Sequence, residues 1–157
     1  MEHPHFMADH QYPKQVHLFD NPYLSTLTTR LSLSETKQPL FNQLVKQVYG
    51  QMLVAILNRE WPLVEYSGPT RMTELHPDHL LSSQVLDPQQ KAVCVDIARA
   101  GMLPSQVFFD QLNALVNSEG LRQDHIYAAR MTNEKNEVTH TELSASKIGG
   151  DIQGRLV

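Results

Sequence analysis

Cysteine is almost missing from this chain, with Cys94 the only one. A single thiol rules out a disulfide framework within the chain, and a reducing compartment, by default the cytoplasm, is expected. No block of basic residues stands out, and the formal net charge is −4 with histidines neutral. A nucleic-acid partner bound by phosphate neutralisation is therefore not expected. No apolar run approaches the roughly 18–20 residues of a membrane span, so no membrane partner is expected either. The N-terminus, MEHPHFMADHQYPK, lacks the charged and apolar regions of a signal peptide.

What is present has a globular composition. Apolar residues make up 41% and charged residues 19% of 157 positions, enough for one domain with a core of ordinary size. Residues 1–16 read as a loose arm interrupted by Pro4 and Pro13, leaving 17–157 as the folded part. His3, His5 and His10 lack cysteine or carboxylate companions at ligand spacing, and His76-Pro77-Asp78-His79 reads as a loop or helix start, so no metal is assigned to either group.

The most informative stretch is Lys91–Leu103, KAVCVDIARAGML. The apolar, β-favouring run Ala92–Ile97 passes into Ala98-Arg99-Ala100-Gly101, the pattern of a buried strand whose tip turns into a loop. In open α/β sheets that tip is where ligands bind. Taken alone, Arg99 is better explained as a solvated surface charge. A helix over 105–117 should follow, with Ser105 as N-cap, an apolar stripe of Val107, Phe108, Leu112, Leu115 and Val116, and Gly120 as its stop. The next strand, His125–Ala129, then ends at Arg130. Two arginines at adjacent strand tips can converge on one anionic ligand, since guanidinium forks match phosphate oxygens.

Two helices are expected upstream. Leu24, Leu27 and Leu31 mark one, with Asp20 or Asn21 as cap and Pro22 in its first turn. The other, over 40–57, has a broad apolar face from Leu40 to Leu57 that suits burial or a homodimer surface. Between these helices and the central strand, Leu63–Tyr66, Ser67-Gly68-Pro69 and Thr70–Thr73 read as a β-hairpin, and Leu80–Gln90 as a loop or short helix. Downstream, a turn around Asn133–Asn136 leads into a return arm at Val138–Leu143, Gly149-Gly150-Asp151 marks another turn, and Arg155–Val157 starts a strand.

In this order the pieces resemble uracil phosphoribosyltransferase. Ile97-Ala98-Arg99-Ala100-Gly101 is similar to the family's Ile-Leu-Arg-Ala-Gly. Ala129-Arg130 with Asn133-Glu134 is similar to its Tyr-Arg-Asn-Glu-Glu-Thr, and Asp151–Val157 to its Asp-Ile-x-x-Arg lead into a strand. Phe41-Asn42-Gln43-Leu44 looks like its Phe-Arg-Glu-Leu helix. The match runs over about 17–157 and is sharp only over short segments.

The resemblance implies an α/β fold, an open, mainly parallel phosphoribosyltransferase-like sheet with flanking helices and β-hairpin elements. It implies transfer of a phosphoribosyl group from phosphoribosyl pyrophosphate to uracil with Mg²⁺, a homo-oligomer, and contacts from Arg99 and Arg130 to phosphoribosyl pyrophosphate. It assigns no catalytic residue. Two positions and one segment depart from the family: Asp96 stands for a proline, Ala129 for a tyrosine, and Val54-Ala55-Ile56 where a Tyr-Glu pair is typical. The Asp-Pro-Met-x-Ala-Thr-Gly phosphoribosyl-binding loop and the uracil-reading segment do not occur in the sequence. The expectation is therefore an N-terminal portion, truncated before that loop and inactive alone. The departures define an alternative, a non-enzymatic phosphoribosyltransferase-like regulatory or dimerising protein.

Overall fold

The computed structural model describes residues 10–13, 15–147 and 149–157, with 144–147 described by backbone alone. His3, His5 and most of the expected arm lie outside the described residues. The fold is α/β, with three helices and six strands among the described residues. No helix is long and apolar enough to cross a membrane. The chain divides into two compact units, Met1–Met52 and Leu53–Val157.

In the first unit, α1 spans Pro22–Ser32. Asn21 caps it: its side-chain oxygen accepts the backbone N–H of Tyr23 at 2.9 Å and of Leu24 at 3.3 Å. Pro22 takes the first helical position, where an N–H has no helical partner. Leu24 and Leu27 are buried with Leu44 and Val48 of α2, the helix Leu40–Glu60, and Phe19, Leu31 and Tyr49 pack around them. The three- and four-residue spacing of these leucines is what puts them on one helix face.

In the second unit, Leu53, Leu57 and Trp61 are buried with Ala92, Leu112 and Val116. The Trp61 indole N–H donates to the Asp87 carbonyl at 3.0 Å, so the ring is buried with its polar atom satisfied. Strands β1 (Leu63–Gly68) and β2 (Leu81–Leu86) form a separate antiparallel pair, Leu63 opposite Leu86 and Gly68 opposite Leu81. This corrects the expected hairpin. Thr70–Thr73 is a turn, with the Thr73 N–H on the Thr70 carbonyl at 3.1 Å, and the returning arm lies in the stretch read as loop or short helix. The Gly-Pro signal ends β1 correctly but does not fix where its partner begins.

The main sheet has the order β5-β4-β3-β6. Strand β3 (Lys91–Ala98) lies between β4 (Leu121–Thr132) and β6 (Arg155–Leu156), parallel to both, while β5 (Val138–Lys147) returns antiparallel to β4. Asn133 shapes the β4–β5 turn by accepting the N–H groups of Lys135 and Glu137 on one side-chain oxygen. Asn136 holds φ at 61°, a left-handed position that asparagine tolerates. Helix α3 runs Met102–Asn113, three residues earlier than expected. Ser105 is therefore a buried residue inside α3 and not its cap. The helix stops well before Gly120, which ends a short 3-10 turn at Ser118–Gly120.

Candidate functional site

Strand alternation sets the site. Ala92, Cys94 and Asp96 share one face of β3, opposite Leu121, Gln123 and His125 of β4. The inner part of this face is apolar: Ala92, Cys94 and Leu121 join Phe108, Leu112 and Val116 in the core. Burial pushes the Cys94 thiol up to about 11. Further out the face turns polar. Gln123 donates to the hydroxyl of buried Ser105 at 3.1 Å, tying α3 to β4.

One pair nearer the strand tip, the Asp96 carboxylate lies 2.8 Å from the His125 Nδ1. Asp96 is almost fully buried, at 3% side-chain exposure, while His125 keeps 28%. The second carboxylate oxygen, Oδ1, is buried without a hydrogen-bond partner among the described residues. The opposite face carries a second buried carboxylate, Asp124, held at 2.8 Å by the Arg122 Nε.

β3 ends at Ala98, opposite Tyr127, and Arg99 follows at once. The turn closes tightly. The Gly101 N–H donates to the Ile97 carbonyl at 3.0 Å, and the Met102 N–H to the Arg99 carbonyl at 3.2 Å. A Cβ at position 101 would stand 2.9 Å from the Asp96 Cβ and 3.0 Å from the Ile97 oxygen. With φ at −75°, Gly101 is required for this close approach and not for an unusual backbone angle. Pro104 then falls in the first turn of α3, where its missing N–H costs nothing.

Arg99 is exposed and its guanidinium makes no hydrogen bond or ion pair with a described residue, and the same holds for the Arg130 guanidinium. Their placement differs from the expected symmetry. β4 does not stop at Arg130 but runs to Thr132, and Arg130 sits inside the β4–β5 ladder opposite Thr141. Its backbone lies three residues past Tyr127, about 10 Å at 3.3 Å per residue. Both arginines are at the same end of the sheet, Arg99 on a turn and Arg130 on a strand that overshoots its neighbour.

The sequence reading missed the Asp96–His125 pair. Asp96 stood out only as a departure from a family proline, and His125 only as the start of a strand. The signal was available in alternation: Asp96 has the parity of Ala92 and Cys94, so it faces the core side and needs a partner there. His76 and His79 face each other edge-on at 5.8 Å, but among the described residues no group of three or more His, Cys, Asp or Glu side chains stands together as a metal-holding set.

No family model matches the chain, and a search of curated proteins finds no match. Among solved structures, the AQ2163 protein from Aquifex aeolicus has a similar fold, with a TM-score of 0.54 at 15% sequence identity. The likeness covers 82% of this chain and 53% of that protein, so the chain spans about half of its length.

Proposed function

We propose that this chain carries the diphosphate-binding wall of a uracil phosphoribosyltransferase-type enzyme with a phosphoribosyltransferase-like sheet. One observation carries the reading: Arg99, exposed and unpaired among the described residues, stands on the tight turn at the C-terminal end of a parallel strand. That edge is where open α/β sheets bind ligands.

The chemistry asks for such a group. As the bond from the ribose C1′ to the diphosphate breaks, negative charge builds on the leaving oxygens, and a fixed guanidinium stabilises it without a nucleophilic side chain. Arg130, further along the same edge, is assigned to the same ligand. Mg²⁺ belongs to this reading as the companion of phosphoribosyl pyrophosphate. The described residues supply no metal-holding cluster of their own. A cytoplasmic homo-oligomer is part of the same proposal.

The test is UMP formation from uracil and phosphoribosyl pyrophosphate by the product of the complete reading frame. Arg99→Ala should raise the KM for phosphoribosyl pyrophosphate about tenfold or more, the worth of one charge-assisted hydrogen bond. Absence of UMP formation would leave the non-enzymatic, regulatory reading in its place. An unchanged KM would remove Arg99 from the site.

A further inference from the structure

The buried Asp96–His125 pair has no part in holding the diphosphate, yet it sits directly beneath the Arg99 turn. Asp96 is three residues before Arg99, and Gly101 packs onto its Cβ. His125 is two residues before Tyr127, the register partner of the last β3 residue, so it lies about 7 Å below the sheet edge.

The geometry fixes which imidazole nitrogen exchanges protons. A carboxylate only accepts hydrogen bonds, so Nδ1, at 2.8 Å from the Asp96 Oδ2, carries a proton in both the neutral and the cationic ring. Nε2 is then the nitrogen that gains or loses one. The ring is partly exposed while its carboxylate is not, an arrangement in which a buried acid orients a reachable base. The orphaned Oδ1 adds to this. With no other described donor on the carboxylate, the imidazolium formed when Nε2 takes a proton is the one cation at ion-pair distance from it among the described residues.

We propose that His125 is the general base of this site and Asp96 its positioning residue. The inference rests on the phosphoribosyl-transfer reading and adds the group that accepts the nucleophile's proton. Nε2 takes the proton from N1 of uracil as the N1–C1′ bond forms. The C1′–O bond breaks, its electron pair leaves on the diphosphate held by Arg99, and the imidazolium later releases the proton to water. Among the described side chains, Tyr127 is an ionisable neighbour of the ring, with its centroid 6.5 Å away. From α3, the neutral Ser105 hydroxyl meets this face through Gln123.

Two measurements on the product of the complete reading frame test it. In long-range ¹H–¹⁵N spectra, neutral His125 should be the Nδ1–H tautomer, and Asp96→Asn should weaken that preference. The Nε2–H tautomer would overturn the proposal without any variant having to fold. In kinetics, His125→Gln should lower kcat about 100-fold or more, the usual worth of a general base. It should leave the KM for phosphoribosyl pyrophosphate unchanged and abolish the acidic limb of the kcat–pH profile. Asp96→Asn should retain that limb at reduced kcat. UMP formation with an unaltered kcat and pH profile in a folded His125→Gln protein would remove this proposal alone. Absence of UMP formation in the wild type would remove it together with the reading it rests on.

Discussion

The two faces of the β3–β4 pair solve the same problem in opposite ways. Each buries one carboxylate, and each gives it one partner at 2.8 Å. Asp124 is matched with Arg122, a guanidinium that is charged at every relevant pH. Asp96 is matched with His125, whose charge depends on a single proton. Each pair leaves one buried atom without a hydrogen-bond partner among the described residues, Nη2 of Arg122 and Oδ1 of Asp96. The difference teaches which pair is built for permanence. A fixed ion pair holds a register, while the charge of a carboxylate–imidazole pair depends on one proton.

The comparison breaks most sharply if the fixed pair is cut. Asp124→Ala strands the mostly buried Arg122 guanidinium and should cost about 3 kcal/mol or more. Asp96→Ala strands only an imidazole, which can stay neutral, and should cost less, about 1–2 kcal/mol. Urea unfolding of both variants at neutral pH checks the order, and equal losses would show that the two pairs do the same structural work. Gly101→Ala comes next. Its Cβ meets strand atoms that cannot yield without moving β3, which should cost about 1–3 kcal/mol and displace Arg99. A lower Tm together with a higher KM for phosphoribosyl pyrophosphate would register both effects.

The smallest effect sharpens how dry the His125 face is. Cys94 lies two residues inboard of Asp96 on the same face, and its thiol is raised by burial from 9.0 to about 11. A raised folded-state value means the unfolded chain loses this proton first. The contribution to stability is therefore complete below pH 9 and is lost as pH rises towards 11. Thiol titration at pH 8 should be slow in the native protein and fast in urea. Prompt native reaction would show that water reaches this face.

Much of this was legible in the sequence where one strand or helix determines its own surroundings. β3 declared itself through Ala92–Ile97 because a strand buried on both faces reads as a continuous apolar run, and Ala92 and Val93 are both buried here. α1 did so through Asn21-Pro22 and the leucine spacing. The β1–β2 pair was not legible in full. Its partner strand starts at Leu81, beyond the turns at Thr70–Thr73 and His76–His79, and most of its residues are exposed, so no burial pattern marks it. The start of α3 was misplaced because Ser105 looks like a cap, whereas a glycine packed on Asp96 begins the helix without any side-chain cap. The arginines were found by motif and strand end. The Asp96–His125 pair needed the register between two strands almost 30 residues apart, which alternation in one strand does not supply.

Strand β6 has a consequence for how this sheet opens. It pairs with β3 only through Lys91–Arg155 and Ala92–Leu156, supported by the Arg155 guanidinium on the Gly120 carbonyl at 2.9 Å and a longer Gln90 bond to Gly154. Closing that pairing brings together positions 64 apart in the chain (155 − 91), whereas β3, α3, β4 and β5 follow one another from Lys91 to Lys147. Such an edge bears the loop-closure cost of a distant pairing against two register pairs of return. In hydrogen exchange of this chain its amides should exchange before those in the β3–β4 ladder.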